Sequence, residues 1–281
     1  MGNQHLGAGV TSVGTPSGPP AIVRAALRTT GTLAGAVAAI LIVWSLALRV
    51  VNVSPYVAKT PLDVGRYLFV GQAAGSNRAD IVANLVLTLG DASLGYAVGL
   101  LMAAFISLLF YFSRTTERMF APTFTALHAI PMVTVAPILC LIFGRGTVGT
   151  AVIGAAIVFV PAMLTMLQGL RAVPRTDLDM CQAFGGSAWS CFAKVALPHA
   201  VPTWFSAARV AVTTATVGAL LAEWLATGAG LGGQMLRDAN QFQFARLWSS
   251  VVVLTVVCVA IYQLVSLVET AVGSRMSATR R

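Results

Sequence analysis

The sequence predicts an all-α integral membrane protein of about six transmembrane helices. Three observations predict it: 57% of the 281 residues are hydrophobic, 10% are charged, and the mean hydropathy is +0.82. A soluble domain carries about 25% charged residues to cover its surface, so the composition excludes a secreted domain, a cytosolic enzyme and a nucleic-acid binder. The net charge of +9 does not bring nucleic acid back, because the basic residues lie scattered between apolar runs instead of clustering with aromatics on one face. They act as topology signals.

A bilayer core about 30 Å thick needs roughly 20 apolar residues per helix. Charge-free runs of that kind lie between Arg28 and Arg49, Asp91 and Arg114, Arg118 and Arg145, Arg145 and Arg171, and Arg246 and Glu269. A sixth, from about His199 to Glu223, is interrupted by Arg209. The resulting organisation is a disordered tail over 1–28, a first transmembrane helix over 29–50 and an extracytoplasmic segment over 51–80. A five-helix core over 81–272 follows, with a cytoplasmic loop over 171–198, and a cytoplasmic tail closes the chain over 273–281. The tail is predicted from Met1 to Pro20, which is rich in Gly, Ser, Thr and Pro and cannot bury enough surface to fold. The apolar stretch after Arg24 and Arg28 exceeds the roughly 7 to 15 residues of a secretory signal, so it reads as a membrane helix.

With six spans both termini share a side. Arg24, Arg28, Arg114, Arg118, Arg171, Arg175, Lys194, Arg275, Arg280 and Arg281 then face the cytosol, against Arg49, Lys59, Arg66, Arg78, Arg145, Arg237 and Arg246 outside. That bias favours both termini in the cytosol. Gly31 with Gly35, and Gly95 with Gly99, mark close helix approach, while Pro131, Pro137 and Pro161 predict kinks.

Several chemistries are missing. Lys59 and Lys194 are the only lysines, and neither follows the glycines of a phosphate-binding loop; if ATP drives this chain, another subunit hydrolyses it. Asp91, Glu223 and Glu269 fall at span edges in this reading, which leaves an ion-coupled carrier or channel unsupported. The cysteines Cys140, Cys181, Cys191 and Cys258 lack metal-ligand spacing and read as small packing residues. His5, His128 and His199 are too dispersed for a local site.

The informative stretch is the loop. Asp177, Asp179 and Gln182 open a helix, Gly185-Gly186 permits a sharp turn, and Ser187 caps a second helix. Trp189, Phe192, Val195 and Leu197 give that helix an apolar face before Leu197-Pro198 ends it. A helix pair outside the membrane with apolar residues not needed for spanning is a docking device.

Asp177 to Pro202, DLDMCQAFGGSAWSCFAKVALPHAVP, resembles the conserved cytoplasmic loop of permease subunits of binding-protein-dependent ABC importers. That pattern is Glu-Ala-Ala, three residues, Gly, then Leu-Pro after about a dozen. Gly185, Trp189, Leu197 and Pro198 match it, and Asp179-Met180-Cys181 stands in place of Glu-Ala-Ala. Asn84 to Gly90, His128 to Pro131 with Pro137 and Phe143-Gly144, and Ala222-Glu223 through Gly232 are similar to the nitrate, sulfonate and taurine branch. The resemblance implies the type I ABC importer permease fold in the inner membrane of a prokaryote. It also implies two ATPase subunits that hold ATP and Mg, a second permease subunit (a homodimer), an extracytoplasmic binding protein, and no cofactor on this chain. It makes Asp179, Gln182, Gly185, Gly186, Ser187, Trp189, Phe192, Lys194, Leu197 and Pro198 the ATPase-coupling loop. Arg209 reads either as an anion-pathway or interhelical-pairing residue or as a snorkelling cation, and His128 joins it as a pathway candidate. Glu223 with the Gly228 to Gly233 turn reads either as an extracytoplasmic gate region or as a plain turn.

Overall fold

The computed structural model describes residue 35, residues 38–51 and residues 54–278, with side chains described through residue 272. The predicted tail over 1–28, Gly31 and the last three residues lie outside them. The chain divides into two units, Met1–Ser54 and Pro55–Arg281. The first unit contains the apolar helix α1 (Ala38–Val50).

The second unit opens on α2 (Pro61–Phe69), started by a reciprocal cap: Thr60 Oγ1 accepts from the Asp63 amide at 3.3 Å, and Asp63 Oδ2 accepts from the Thr60 amide at 3.0 Å. The same bonds hold the Asp63 carboxyl below its ordinary pKa. Helix α3 (Ala74–Phe112) follows, 39 residues long, or about 58 Å at 1.5 Å per residue. It begins well before Asp91, so the helix runs on through that carboxylate and, being longer than a bilayer core of about 30 Å, extends beyond it.

The run from Arg118 to Arg145 is not one straight span. Helices α4 (Arg114–His128) and α5 (Met132–Phe143) meet at a 102° bend. Pro131 is responsible: it has no amide to donate and its ring steers Ile130 away from helical geometry. Elsewhere the prolines are accommodated. Pro137 lies inside α5, and α6 (Thr147–Arg171) runs continuously through Pro161, whose carbonyl accepts from Thr165 Oγ1 at 2.8 Å.

The loop contains α7 (Arg175–Ala183) and α8 (Ala188–Cys191), the latter running through a π-turn at Phe192–Ala196 into α9 (Leu197–Ala222). A second π-turn, Glu223–Thr227, ends α9. Helices α10 (Gly230–Asn240) and α11 (Phe244–Ala278) complete the fold. Among the described residues, four helices are long and apolar enough to cross a membrane, or five if the bent pair counts as one span.

Helix α6 lies between α3 and α9, and α11 packs on α9. Val158, Phe159, Met163 and Met166 of α6 fill the core with Ala103 and Phe110 of α3 and Ala207, Ala211 and Ala215 of α9. Higher in the bundle the backbones themselves touch. A Cβ on Gly95 of α3 would lie 2.8 Å from the Gly154 Cα, and a Cβ on Gly218 of α9 would meet the same atom at 2.8 Å. Gly99 similarly faces Val158 at 2.7 Å. The Gly95 and Gly99 pair therefore serves helix packing within this chain.

Candidate functional site

The loop is anchored at one side and bare at the other. Pro174 precedes α7, Asp177 sits in its first turn, and the helix stops at Gly185, whose φ of +79° belongs to the left-handed region that favours glycine. Ser187 Oγ caps α8 by accepting from the Ser190 amide at 3.2 Å. Phe192, 3% exposed, is the anchor. Its ring centroid lies 5.5 Å from that of Tyr111, 5.1 Å from Phe112 and 5.3 Å from Trp189, and Trp189 stacks on Phe112 at 6.0 Å. The loop is thus fastened by aromatic contacts to the C-terminal end of α3.

Two expectations about this loop are corrected. Leu197-Pro198 does not end a helix: Pro198 lies in the first turn of α9, where its missing amide costs least, and the π-turn just before it absorbs the change of register. Cys181 and Cys191 are not merely packing residues. They form a disulfide across the turn, with Cα atoms 5.8 Å apart. The sequence hid the pairing because nine residues separate the two and the glycine turn alone folds α7 back toward α8.

The exposed side carries the remaining loop residues. Asp179, Gln182, Gly185, Ser187 and Lys194 are exposed and Gly186 is half-buried, while Phe184 is 87%, Trp189 66% and Met180 60% exposed. Beneath them lies a cavity of about 440 Å³ lined by Tyr111, Arg114, Arg171, Arg175, Gln182 and Cys191 among others. Arg171 does more there than orient the chain. It donates to the Phe110 carbonyl at 2.9 Å, pairs with Glu117 at 2.5 Å and lies over the Tyr111 ring at 5.6 Å. It thereby ties the ends of α3, α4 and α6 together directly under the loop. Sequence reasoning counted this arginine only as a span boundary and topology marker, and the hint of its partner was the lone glutamate between Arg114 and Arg118, 54 residues earlier.

Arg209 sits midway along α9 and its guanidinium is paired. Nη1 lies 3.0 Å from Glu269 Oε2 and 3.3 Å from Ser266 Oγ, Nη2 donates to Ser206 Oγ at 3.3 Å, and the Tyr262 ring lies 5.5 Å away. Both charged side chains are about a quarter exposed. Pairing between α9 and α11, rather than reach toward solvent, is what the geometry shows.

Glu223 lies at the opposite end of α9 from the loop, fully buried. Its Oε2 accepts from the Gly232 amide at 2.7 Å, and a Cβ on Gly230 or Gly232 would collide with its carboxylate. The Leu231 amide donates to Thr88 Oγ1 of α3 at 2.8 Å. Nearby, buried Asp238 pairs with Arg246 of α11 at 2.5 Å. Sequence reasoning assigned no structural role to Thr88 or Asp238 and counted Arg246 only as a span boundary and topology marker. Glu223 is thus buried at the end of α9, and Glu269 is engaged by Arg209. His128 is the last residue of α4, exposed at the bend. Arg209 and Glu223, fourteen residues apart along one helix, are separated by about 21 Å. The three candidates occupy separate places.

Residues 95–278 match the family described as "Binding-protein-dependent transport system inner membrane component". The chain belongs to this family. A probable ABC transporter permease protein of Haemophilus influenzae is 28% identical over 80% of this chain and 90% of its own length. The riboflavin transport system permease protein RibX of Chloroflexus aurantiacus is 30% identical over 56% of this chain and 58% of its own. The putative aliphatic sulfonates transport permease protein SsuC of Bacillus subtilis is 26% identical over 63% and 64%. Among solved structures, inward-facing conformations of the MetNI methionine ABC transporter superpose with a TM-score of 0.55 at 17% identity, covering 70% of this chain and 96% of the other; that likeness concerns the fold.

Membership in this permease family decides what the carboxylates alone left open. The chain is an ABC importer permease subunit with the type I permease fold, similar to the sulfonate and taurine branch. The buried acids of this permease hold its helices and its turn, as their partners show.

Proposed function

We propose that this permease and a second copy of it form the pathway by which a small solute, delivered by an extracytoplasmic binding protein, enters the cell. Two separate ATPase subunits, which hold ATP and Mg, dock on loop 171–198. The observation that carries this reading is the construction of the loop: Phe192 is buried as an anchor while Phe184, Trp189 and Met180 project 87%, 66% and 60% exposed. Large apolar side chains on a polar loop outside the membrane mark a protein-protein contact. The excess of Lys and Arg on the loop side of the chain supports cytoplasmic termini in the inner membrane of a prokaryote.

The solute is an aliphatic sulfonate, taurine, nitrate or a similarly small organic molecule, a class supported by the sulfonate permease among the relatives. ATP-driven closure of the ATPases moves the pathway between inward-open and outward-open states, a switch that operates because nucleotide and solute each prefer one state. Asp179, Gln182 and Gly185 transmit the motion through Trp189, Phe192, Lys194, Leu197 and Pro198 to α9.

Replacing Gly185 by valine tests the reading. No atom lies within 4 Å of the position a Cβ would take, so the φ of +79° is the sole obstacle, and a β-branched residue there costs about 1–3 kcal/mol of backbone strain. The variant is expected to insert and to lose substrate-stimulated ATP hydrolysis in the assembled complex. Unchanged stimulated hydrolysis would remove the loop from the coupling path. Mass spectrometry of proteins retained by the tagged chain in nanodiscs adds a second check: a phosphate-binding-loop ATPase and a binding protein are expected.

A further inference from the structure

The two cysteines at the loop's turn have no role in the docking surface just described. Cys181 is on α7 and half-buried; Cys191 ends α8 and is 3% exposed. Their Cα separation of 5.8 Å falls within the range a disulfide bridges without backbone movement. The turn between them is shaped for the approach. A Cβ on Gly186 would lie 2.7 Å from both the Cys181 carbonyl oxygen and Cys181 Sγ, and 3.0 Å from Cys191 Sγ. The Gly186 amide donates to the Cys181 carbonyl at 3.0 Å. The remaining cysteines are elsewhere: Cys140 is buried in α5, and Cys258 of α11 lies beside Thr216.

We infer that Cys181 and Cys191 form a reversible redox modification site whose disulfide clamps the turn of the docking loop. The inference rests on the reading of that loop as a cytoplasmic, ATPase-facing surface. Cytoplasmic thiols are kept reduced, and a disulfide in that compartment is a transient, regulatory bond. The reactant is a low-molecular-weight disulfide of the glutathione type. The more accessible Cys181 thiolate attacks it, forms a mixed disulfide and expels one small thiol. The Cys191 thiolate then attacks Cys181 Sγ and expels the second. The two protein thiols lose two electrons and two protons, and the small disulfide becomes two thiols; excess small thiol reverses both steps.

The bridge acts on the hinge. In the reduced loop α7, which carries Asp179 and Gln182, pivots on Gly185 and Gly186 relative to α8, which Phe192 anchors. Oxidation joins the two into one body, so α7 no longer follows the ATPase independently, and stimulated hydrolysis falls.

The test uses the full complex in native membrane vesicles, with glutathione disulfide as oxidant, dithiothreitol as reductant and polymer-tagged maleimide, added after denaturation, to count free thiols. Four thiols are available in the wild type. Oxidation is expected to remove two, and reduction to restore them. Cys191→Ser is expected to lose one, as a mixed disulfide at Cys181, and Cys181→Ser none, because Cys191 is buried. Oxidation is expected to remove at least half of the substrate-stimulated ATP hydrolysis in the wild type and to leave the Cys181→Ser/Cys191→Ser double variant unaffected. A wild type that retains all four thiols, or equal inhibition of both proteins, would overturn the inference. A membrane-impermeant maleimide applied to intact Cys191→Ser cells and to inverted vesicles distinguishes the underlying reading. Labelling of Cys181 in inverted vesicles alone supports the cytoplasmic loop, and labelling in intact cells overturns that reading and makes the bridge purely structural.

Discussion

Replacing Phe192 by alanine is expected to release the loop while leaving the bundle intact. A buried Phe→Ala change costs about 3–5 kcal/mol. The lower end applies, because two of the three partner rings, those of Phe112 and Trp189, are themselves 48% and 66% exposed. The loss falls on the docked loop, since Phe192 packs with Leu170, Val173, Ala196 and Ala200 at the loop end of the bundle and away from the main α3–α6–α9 core. About 3 kcal/mol at 1.4 kcal/mol per tenfold change raises the population of the undocked loop by about a hundredfold. Hydrogen exchange on the nanodisc-embedded protein reads this directly, since amides protected by docking exchange in proportion to that population. Residues 175–187 are expected to exchange about a hundredfold faster, with the interiors of α3, α6 and α9 unchanged. Trp189→Ala, which removes an exposed ring worth about 1 kcal/mol, is expected to give about a fivefold effect at the same amides. Unchanged exchange over 175–187 in folded Phe192→Ala protein, or acceleration spread evenly over all helices, would refute the anchoring argument.

Two further outcomes follow from the geometry. Arg209→Ala leaves Glu269 without its cation and is expected to cost about 1–2 kcal/mol, less than the 3–5 typical of a fully buried pair because both partners are about a quarter exposed. An Arg209→Glu/Glu269→Arg exchange is expected to recover more than half of the melting-temperature loss, and thermal melts showing no loss in either single variant would return Arg209 to the snorkelling reading. Gly95→Ala forces a methyl to 2.8 Å from the Gly154 backbone and is expected to destabilise by about 1–3 kcal/mol. Gly90→Ala, five residues earlier on α3 with open space around it, is expected to be neutral in the same melts.

The features legible in the sequence are those governed by local composition. Charge-free runs located the spans because desolvating a charge in lipid dominates every other term there, and the glycine break at Gly185 was visible because one residue decides it. Properties that depend on distant partners were not visible. Arg171 reads identically whether it faces water or clamps Glu117 and Tyr111. Apolar runs were counted between charges, which cut α3 short at Asp91 although the helix extends straight through it, and which hid the partners of Glu223 and Glu269 on distant elements. Gly154 and Gly218 sit in Gly- and Ala-rich stretches where no spacing rule singles them out; only the packed bundle shows that they meet. The cysteine pair needed the turn to be folded before its separation meant anything.

The meeting of Gly95, Gly154 and Gly218 has a mechanical consequence. Packed side chains lock two helices by interdigitation, so a change of crossing angle requires rotamers on both to be reset. Where three helices touch through bare backbone, no rotamers exist to reset and no knobs have to leave their holes. The three backbones meet there at the closest approach sterics allow, so the spacing of α3, α6 and α9 at that point is set by main-chain atoms, and any residue larger than glycine would push the helices apart.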